Sequence, residues 1–451
     1  MAQLNAPNPA TQTGAPPGTQ IVPAPINAGQ ILASIAPLRN PAATNQQSRP
    51  YNQRLQLVSA SQGDQGIPVE LKRQGLATGL QLYITGSIVV NLPAEVSAGN
   101  ASGFQVSANF PFDVISNVSF NPSGARSRVN ASGVQLREEG FRLFGLKDPN
   151  LVSFASGAGG LPNQYAFDTS GSKSVGFYST YTIAGTTTTL NPLSGPIYNA
   201  TAGAVVATIN YGFFLEVPWV DNFVDFNGLI DVQQPGTTFQ VVLNTAQNGQ
   251  LPTGTTTGQN TPVALITEGT GVMGTYGTTS ISFDPLQQGI SMPPSTSLYL
   301  GLAQVQVMRQ TQRTTSLSVG EQGIEIPLKN GFFYLAAIND IRLNYTPSTQ
   351  YVTDWSLNLA PGNSVLTYTL EQYLAEYAKQ HYLSPSLGIV CWDGANSEFI
   401  NGQGDSFGWV NATAQGGLAD PHIRIGLASN TVFGPENSNY VDTLTVSQIV
   451  I

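Results

Sequence analysis

The side chains that carry most enzyme chemistry are scarce in this chain. Its 451 residues include only two histidines, His381 and His422, and one cysteine, Cys391. A zinc or iron centre needs several such ligands, and a disulfide needs two cysteines, so neither is predicted. Cys391 lies in the apolar run Leu387–Trp392, which is typical of a small buried residue. His381 falls on the apolar stripe of a predicted helix, so we expect it to be packed rather than to act as a base.

Three motifs match parts of known active-site patterns, and none has the required context. Gly269–Gly274 satisfies G-x-G-x-x-G, but a β-rich run follows where a dinucleotide site needs a helix. The residue types of a GDS-type esterase occur in Gly404–Ser406 and Asp420–His422, with the serine too late and only one residue between Asp and His. Glu138 and Glu139 are adjacent, so their side chains point apart and do not form an acid–base pair. We therefore predict no catalytic, cofactor-binding or metal-binding residue.

The composition is that of a folded, turn-rich chain with few charges. Only 10% of the residues are charged and 41% are hydrophobic, whereas roughly 25% are charged in an ordinary soluble domain. The net charge of −9 gives no reason to expect a specific nucleic-acid site. The longest apolar run, Leu80–Leu92, is shorter than about 18 residues, so no membrane crossing is predicted. The N-terminus lacks the basic and apolar regions of a secretory signal, so we expect the chain to stay where it is made.

Sequence patterning predicts an all-β body with a short helix in its second half, preceded by a flexible N-terminal arm. From about Gln65 onward, short runs rich in Val, Ile, Thr, Tyr and Phe are separated by Gly, Pro, Asn and Ser, which indicates strands in antiparallel sandwiches or barrels. The clearest helix is predicted over Thr369–Tyr382, where apolar residues recur at helical spacing and Thr369 and Gln372 can form the N-terminal cap. Val134–Leu146 is a weaker helix candidate in a similar place within the first half.

The chain is predicted to consist of an arm and two halves of similar length. The predicted divisions are the N-terminal arm 1–66, the first half 67–245, the linker 246–262 and the second half 263–451. A short echo between Gly66–Gly75 and Gly323–Gly331 is weak evidence for duplication of one β-domain, and chance similarity is the competing explanation.

The first 50 residues have a distinct composition. They contain no acidic residue, and Arg39 and Arg49 are their only charges. Such a segment does not bury enough apolar surface to fold alone, so we expect it to order against a partner. Ile31, Leu32 and Ile35 share one helical face and are candidates for docking as a short helix.

Several segments resemble a known family, in the order the family has them. Phe214–Gln233 is similar to the segment that closes the first barrel of the double jelly-roll major capsid proteins of icosahedral bacterial viruses, and Ile67–Gly86 to the start of that barrel. Ile324–Leu335 and Leu387–Asp393 resemble the corresponding strands of the second barrel, and Thr369–Tyr382 resembles the helix between its late strands.

The resemblance implies two tandem eight-stranded jelly rolls, with three chains forming a pseudo-hexagonal capsomer of a virion shell. The implied partners are two further copies in a homotrimer, neighbouring capsomers, vertex and minor capsid proteins and an internal lipid membrane. Low charge suits large self-association interfaces. The arm would lie inside the shell, where Ile31, Leu32, Ile35, Arg39 and Arg49 are candidate contacts to neighbours or anionic lipid. The protein would be made in the host cytoplasm, would not be an enzyme and would need no cofactor.

Two other classes of protein compete with this reading. A spike or host-attachment β-protein would bind surface glycans through exposed aromatic residues, for which Trp392, Trp409 and Tyr440 are the candidates. A glycan-cleaving β-helix enzyme would show repeats of about 20 to 30 residues, and the sequence has none that we can identify.

Overall fold

A computed structural model describes most of the chain after residue 48. The described residues are 49–95, 97, 99–122, 127–144, 150, 177–192, 195–220, 228–232, 239–250, 261–291, 305–315, 323–329, 331–360, 363–381, 385–393, 410–411, 421–431, 433 and 438–450. The predicted arm contacts Ile31, Leu32, Ile35 and Arg39 lie outside them. No helix among the described residues is long and apolar enough to cross a membrane.

The first half is built from strands and one α-helix, α1 (Gly133–Phe144). The described strands are β1 (Arg49–Arg54), β2 (Val58–Ala60), β3 (Ile67–Glu70), β4 (Leu76–Leu92), β5 (Ser102–Val106), β6 (Ile115–Phe120), β7 (Val129–Ala131), β8 (Tyr178–Ile183), β9 (Thr186–Thr189), β10 (Ile197–Tyr198), β11 (Val205–Pro218), β12 (Ile230–Asp231), β13 (Gln240–Thr245), β14 (Gly249–Gln250), β15 (Val263–Thr267) and β16 (Thr275–Ser291).

These strands form two main sheets. One sheet has the order β1-β16-β4-β11 and is extended by β8 and β9, and the other has the order β3-β13-β6-β7. A smaller sheet, β10-β5-β15-β14, joins the connections between main strands. Alternating burial along β3 and β13 explains why these segments form strands, since one face meets the core and the other meets solvent. We call the eight main strands the first barrel.

The second half repeats this plan with a second α-helix, α2 (Leu370–His381). Its described strands are β17 (Val305–Thr314), β18 (Gly323–Pro327), β19 (Phe333–Leu343), β20 (Thr346–Pro347), β21 (Val352–Ala360), β22 (Asn363–Thr369), β23 (Ile389–Asp393), β24 (Val410–Asn411), β25 (His422–Leu427) and β26 (Tyr440–Val450). The two main sheets have the orders β17-β26-β19-β23 and β18-β25-β21-β22. We call these eight strands the second barrel.

The two barrels have the same connectivity. In both, the first strand along the chain pairs with the last, the last pairs with the third, and the third pairs with the sixth, while the second, seventh, fourth and fifth strands form the facing sheet. In both, the helix lies in the connection between the fifth and sixth strands. Each barrel is therefore an eight-stranded jelly roll, and the predicted double jelly roll is confirmed.

A parallel pairing connects the barrels edge to edge. Arg309 and Gln310 of β17 are paired with Val129 and Asn130 of β7. This contact merges one sheet of the first barrel with one sheet of the second into a single ten-stranded sheet. The apolar core also runs through both barrels, because one cluster contains buried residues of each.

The strand pairing differs from the predicted division of the chain in two places. β15 and β16 follow the predicted linker 246–262, yet they pair with β5 and β4 of the first barrel. β1 and β2 fall in the predicted arm 1–66, yet both pair with β16. The cause is long-range: the last strand of a jelly roll returns to lie beside its first and third strands. We therefore propose that the barrels are divided between Ser291 and Val305.

Both predicted helices are present, and each begins with the same cap. In α2 the backbone N–H of Thr369 donates to Gln372 Oε1 over 3.0 Å, and the Gln372 N–H donates to Thr369 Oγ1 over 3.3 Å. In α1 the Ser132 N–H donates to Gln135 Oε1 over 3.1 Å, and the Gln135 N–H donates to Ser132 Oγ over 3.3 Å. These are reciprocal capping boxes.

The short sequence echo also coincides with equivalent strands. Ile67 and Val69 of β3 are buried and alternate with exposed residues, and Ile324 and Ile326 of β18 are buried on either side of the exposed Glu325. A bulge follows in each barrel, where one extra residue of β4 or β19 lies opposite β16 or β26. The extra residue stands eleven positions after Ile67 in one barrel and eleven after Ile324 in the other. The echo therefore marks structurally equivalent positions in the two barrels.

Candidate functional site

Helix α1 is enclosed between the two barrels. It packs on β11 and β6 of the first barrel and on β19 of the second. Its residues are buried on nearly every side, including the charged residues Glu138, Glu139 and Arg142. The outer face of the sheet β17-β26-β19-β23 covers it. We call this helix and the sheet face that covers it the inter-barrel junction.

Four charged side chains form an ion network in the junction. Arg142 donates to Glu139 over 2.7 and 2.9 Å and to Asp393 over 3.2 Å. Arg309 donates to Glu139 over 2.8 Å. The side chains of these residues are at most 1% exposed. Because α1 supplies Glu139 and Arg142 while β17 and β23 supply Arg309 and Asp393, the network connects the two barrels.

The remaining donors of Arg309 bind backbone carbonyl groups of the first barrel where β11 ends. Its terminal nitrogens donate to the carbonyl oxygens of Pro218 over 3.0 Å and Val220 over 2.8 Å. One guanidinium thus binds the last residue of β11, a residue just after this strand and, through Glu139, helix α1. Desolvation raises the pKa of the Glu139 carboxyl, but the charges of Arg142 and Arg309 outweigh it and lower the pKa overall.

A second group of charges lies on the same sheet face. Arg342 donates to Asp340 over 2.8 and 2.9 Å, and both side chains are buried. Asp113 of the first barrel faces this pair and accepts a hydrogen bond from Ser107. Desolvation raises the pKa of Asp113 to about 6, against the opposing effects of Ser107 and Arg342. This carboxyl therefore carries a charge at neutral pH in a place that disfavours it.

Glu138 differs from its neighbour Glu139. It is fully buried, and neither carboxyl oxygen has a hydrogen-bond partner within 3.5 Å among the described residues. Desolvation raises its pKa, and the nearby Arg137 and Ser386 only partly offset this. The prediction that the two glutamates point apart is consistent with these different surroundings. Glu138 and Glu139 are both buried, so their arrangement is that of a structural contact.

Of the candidates for nucleophile and base chemistry, Cys391 has a packing role. Cys391 is buried in β23, and burial raises the pKa of its thiol well above the usual value, so it is not a reactive thiolate. Its backbone N–H donates to the Tyr373 hydroxyl over 2.6 Å, which ties α2 to β23. His422 begins β25, and the side chain of His381 lies outside the described part of the structure. Among the described residues, no group of three His, Cys, Asp or Glu side chains is placed to hold a metal ion.

The other sequence candidates are placed as follows. Gly269–Gly274 leads directly into β16 and not into a helix. Trp392 and Tyr440 are buried, and Trp409 lies outside the described residues. Arg49 starts β1, where its backbone is paired with Ser291. The segments 404–406 and 412–420 are outside the described residues, so the Asp420 part of the esterase-like pattern is untested.

The ion network itself was not predicted from the sequence. Glu139 and Arg142 are three residues apart on a predicted helix, a spacing that allows an ion pair. The same spacing is common on solvent-exposed helices, so it does not reveal burial. Arg309 lies 167 residues after Arg142, and Asp393 lies still further along the chain. Only the fold brings them to α1.

Comparison with known proteins identifies the fold. No family model and no curated protein matches the sequence. Among solved structures, the crystal structure of the STIV MCP matches with a TM-score of 0.52 and 14% identity over 89% of this chain and 97% of that chain. The atomic structure of Sulfolobus Turreted Icosahedral Virus matches with a TM-score of 0.50 and 13% identity over 89% of this chain and 91% of that chain. A Faustovirus major capsid protein matches with a TM-score of 0.49 and 9% identity, over 90% of each chain.

The first two matches cover nearly the whole of both chains, so they concern the two barrels together. At 13–14% identity they establish the fold. The chain therefore has the double jelly-roll fold of major capsid proteins of icosahedral viruses.

Proposed function

We propose that this chain is the major capsid protein of an icosahedral virus and acts by self-association rather than by catalysis. The observation that carries the proposal is the presence of two jelly rolls with one connectivity, joined by a buried junction in a fixed relation. Three such chains around an axis present six similar barrels. That arrangement is a pseudo-hexagonal capsomer, which tiles a closed shell.

Composition supports the same function. A capsomer covers its flanks with copies of itself, and the core of a large permanent interface is depleted of charged residues. This chain has 10% charged residues. The matched solved structures, whose names are those of a capsid protein and of a whole icosahedral virus, are consistent with a place in the virion.

We further propose that the residues before β1 form an arm that orders against a partner during assembly. Its composition favours order on binding, and the first barrel begins where it ends, at Arg49. Ile31, Leu32, Ile35 and Arg39 are the proposed contacts, to neighbouring capsomers, to minor or vertex capsid proteins or to an internal membrane. Production in the cytoplasm of a bacterial host belongs to the same proposal and rests on the sequence resemblance.

Binding of surface glycans, the alternative, is not favoured by any described residue. Stacking on a sugar requires an exposed aromatic ring, and Trp392 and Tyr440 are only 8% and 2% exposed.

Electron microscopy of the purified full-length chain, combined with its mass in solution, tests the proposal. We expect trimers with three-fold symmetry and a six-lobed outline. Single chains or elongated rods at every protein concentration and ionic strength would contradict a capsid function.

A further inference from the structure

Glu138 of α1 faces groups of the second barrel, yet it takes no part in the ion network of the junction. Its side chain is fully buried, and neither carboxyl oxygen has a hydrogen-bond partner within 3.5 Å among the described residues. Glu139, the next residue, binds two guanidinium groups. Burying a carboxylate without a cation is costly, so ion pairing does not account for an acidic residue at this position.

Ser386 lies beside Glu138, in the turn that leads into β23. Its hydroxyl oxygen is buried and also has no hydrogen-bond partner within 3.5 Å among the described residues. The turn is fixed to the second barrel. The Ile389 N–H donates to the Ser386 carbonyl oxygen over 3.1 Å, and the carbonyl oxygen of Gly388 accepts from Ile341 of β19 over 2.8 Å. Because a protonated carboxyl is a donor, a proton on Glu138 supplies a hydrogen bond to Ser386 across the contact.

The cation beside Glu138 is occupied elsewhere. Arg137 is near enough to attract a negative charge on Glu138. Its guanidinium carbon, however, lies over two aromatic rings, 4.5 Å from the ring centroid of Phe112 and 4.9 Å from that of Phe141. Arg137 therefore offsets a charge on Glu138 only in part.

The second barrel presents an acidic group and neutral groups to Glu138. Asp340 of β19 repels a negative charge there. Burial raises the pKa of Tyr373, Tyr377 and Cys391, which lie near Glu138 on α2 and β23, so all three stay neutral. The other charged groups of the junction bind one another and are Glu139, Arg142, Arg309 and Asp393 in the ion network and Arg342 with Asp340, which Asp113 faces. Desolvation, with a smaller effect of Asp340, raises the pKa of Glu138 against the opposing effects of Arg137 and Ser386.

We propose that Glu138 is a proton-operated latch between the two barrels. With its proton, the neutral carboxyl packs in the contact and donates to Ser386. When the O–H bond breaks and the proton passes to water, a buried negative charge faces Asp340, and α1 loosens from the second barrel at this point. The contact lies within one chain, so this inference goes beyond the proposed function and does not depend on it.

The latch has a definite direction of pH dependence. The folded chain holds the proton at pH values where the unfolded chain, with the ordinary glutamate pKa of 4.5, has lost it. Folding therefore becomes less favourable as the pH rises above that value. While only the folded chain holds the proton, the equilibrium constant of unfolding rises about tenfold for each pH unit. Asp113 adds a change in the same direction, which is complete near its own pKa of about 6.

Denaturant titrations of two adjacent variants, over a pH range from acid to alkaline, test the latch. Glu138→Gln has nearly the same shape and stays neutral, so the share of the pH dependence that belongs to Glu138 is expected to be lost. Glu139→Gln is the matched control. It removes a carboxylate from two arginines, so it is expected to raise the equilibrium constant of unfolding at every pH in the range. The same comparison in an Asp113→Asn chain removes the contribution of Asp113.

Two results of these titrations would overturn the latch. One is a Glu138→Gln variant that keeps the pH profile of the natural chain. The other is a Glu138→Gln variant that is destabilised at every pH, as the Glu139→Gln variant is expected to be, because it would show that Glu138 acts as a charged partner.

Hydrogen exchange of the unaltered full-length chain needs no variant. After correction for the intrinsic effect of pH on exchange, amides of α1 and β23 are expected to lose protection as the pH rises. Those of β13, in the facing sheet of the first barrel, are expected to lose less. Constant protection of α1, or an equal loss in all three elements, would contradict a local latch. A chain that does not form trimers but shows the local loss would overturn the proposed function and leave the latch standing.

Discussion

The two helices α1 and α2 share one position in the jelly roll, and their different burial shows how a repeated domain becomes asymmetric. Both have the same cap and an acidic residue followed three positions later by a basic one. In α1 these charges are buried in an ion network with the second barrel. On α2, Glu371, Leu374, Ala375 and Ala378 are exposed, although the α1 residues at the positions of Glu371, Ala375 and Ala378 are buried. The difference arises from the neighbouring barrel, because helix and cap are alike in both.

The first residues of the two helices differ in the space that their own barrels leave for a side chain. Gly133 starts α1, and a Cβ there would lie 2.2 Å from the Phe112 carbonyl oxygen. The equivalent residue of α2 is Leu370, a partly buried residue that packs against the core. The start of α1 therefore lies too close to Phe112 of its own barrel for a side chain, whereas the start of α2 has room for Leu370.

The largest effect is expected from removing the cation that joins the barrels. Arg309→Met leaves Glu139 buried with one partner fewer, so we expect a loss of about 3–5 kcal/mol in the free energy of unfolding. Arg54→Met, at the exposed ion pair of the first barrel, is expected to cost less than about 1 kcal/mol. Denaturant titration of both variants measures the difference. Equal losses would show that burial of the junction does not set the strength of the contact.

Asp113, which faces the Arg342–Asp340 pair, gives the next largest effect, and the size of this effect depends on pH. Because its pKa is raised to about 6 in the folded chain, folding becomes less favourable as the pH rises from about 4 to about 6. Removing the charge with Asp113→Asn is expected to stabilise the protein by about 2–3 kcal/mol at pH 7, from 1.36 kcal/mol per pKa unit. Little gain is expected below pH 4. The control Glu70→Gln, on an exposed strand, is expected to change stability by less than about 0.5 kcal/mol at either pH.

The contrast at the helix starts predicts opposite tolerance to a change of size. Gly133→Ala would gain about 1 kcal/mol from helix propensity, but the contact with Phe112 is too short for a Cβ. We expect a net loss of about 1–3 kcal/mol. Leu370→Ala removes a partly buried side chain from α2 and is expected to cost about 1 kcal/mol. Thermal unfolding of both variants tests this; a more stable Gly133→Ala protein would contradict the close packing of α1.

The smallest effect tests what the two helices share. Ser132→Ala and Thr369→Ala each remove the side-chain half of a capping box, and each is expected to cost about 1 kcal/mol. Similar losses in urea titrations would support equivalence of the two helices. A loss at only one of them would show that the two caps are not equivalent in energy.

Local patterns predicted the local structure well. The capping residues Thr369 and Gln372 and the helical spacing placed α2 within one residue at each end. The echo around Ile67 and Ile324 marked two equivalent strands. These features depend on residues close in the sequence, so they can be predicted before the fold is known.

The division of the barrels was not predictable in the same way. The segment 246–262 has a linker composition, yet β15 and β16 beyond it belong to the first barrel. A period of two tells which face of a strand is buried, but it does not tell which strand lies beside it. The pairing of β16 with β4 joins residues about 200 positions apart. Local sequence patterns do not predict a contact between such distant residues.

The sequence alone determined that the chain is mainly β, low in charge and poor in histidine and cysteine, and it predicted one clear helix and a weaker second candidate. Only the tertiary structure decided that one helix is enclosed and the other has an open face. It also decided that Glu139, Arg142, Arg309 and Asp393 form one buried network. The reason is physical: periodicity and capping act over a few residues, whereas burial of a charge depends on which distant segments pack around it.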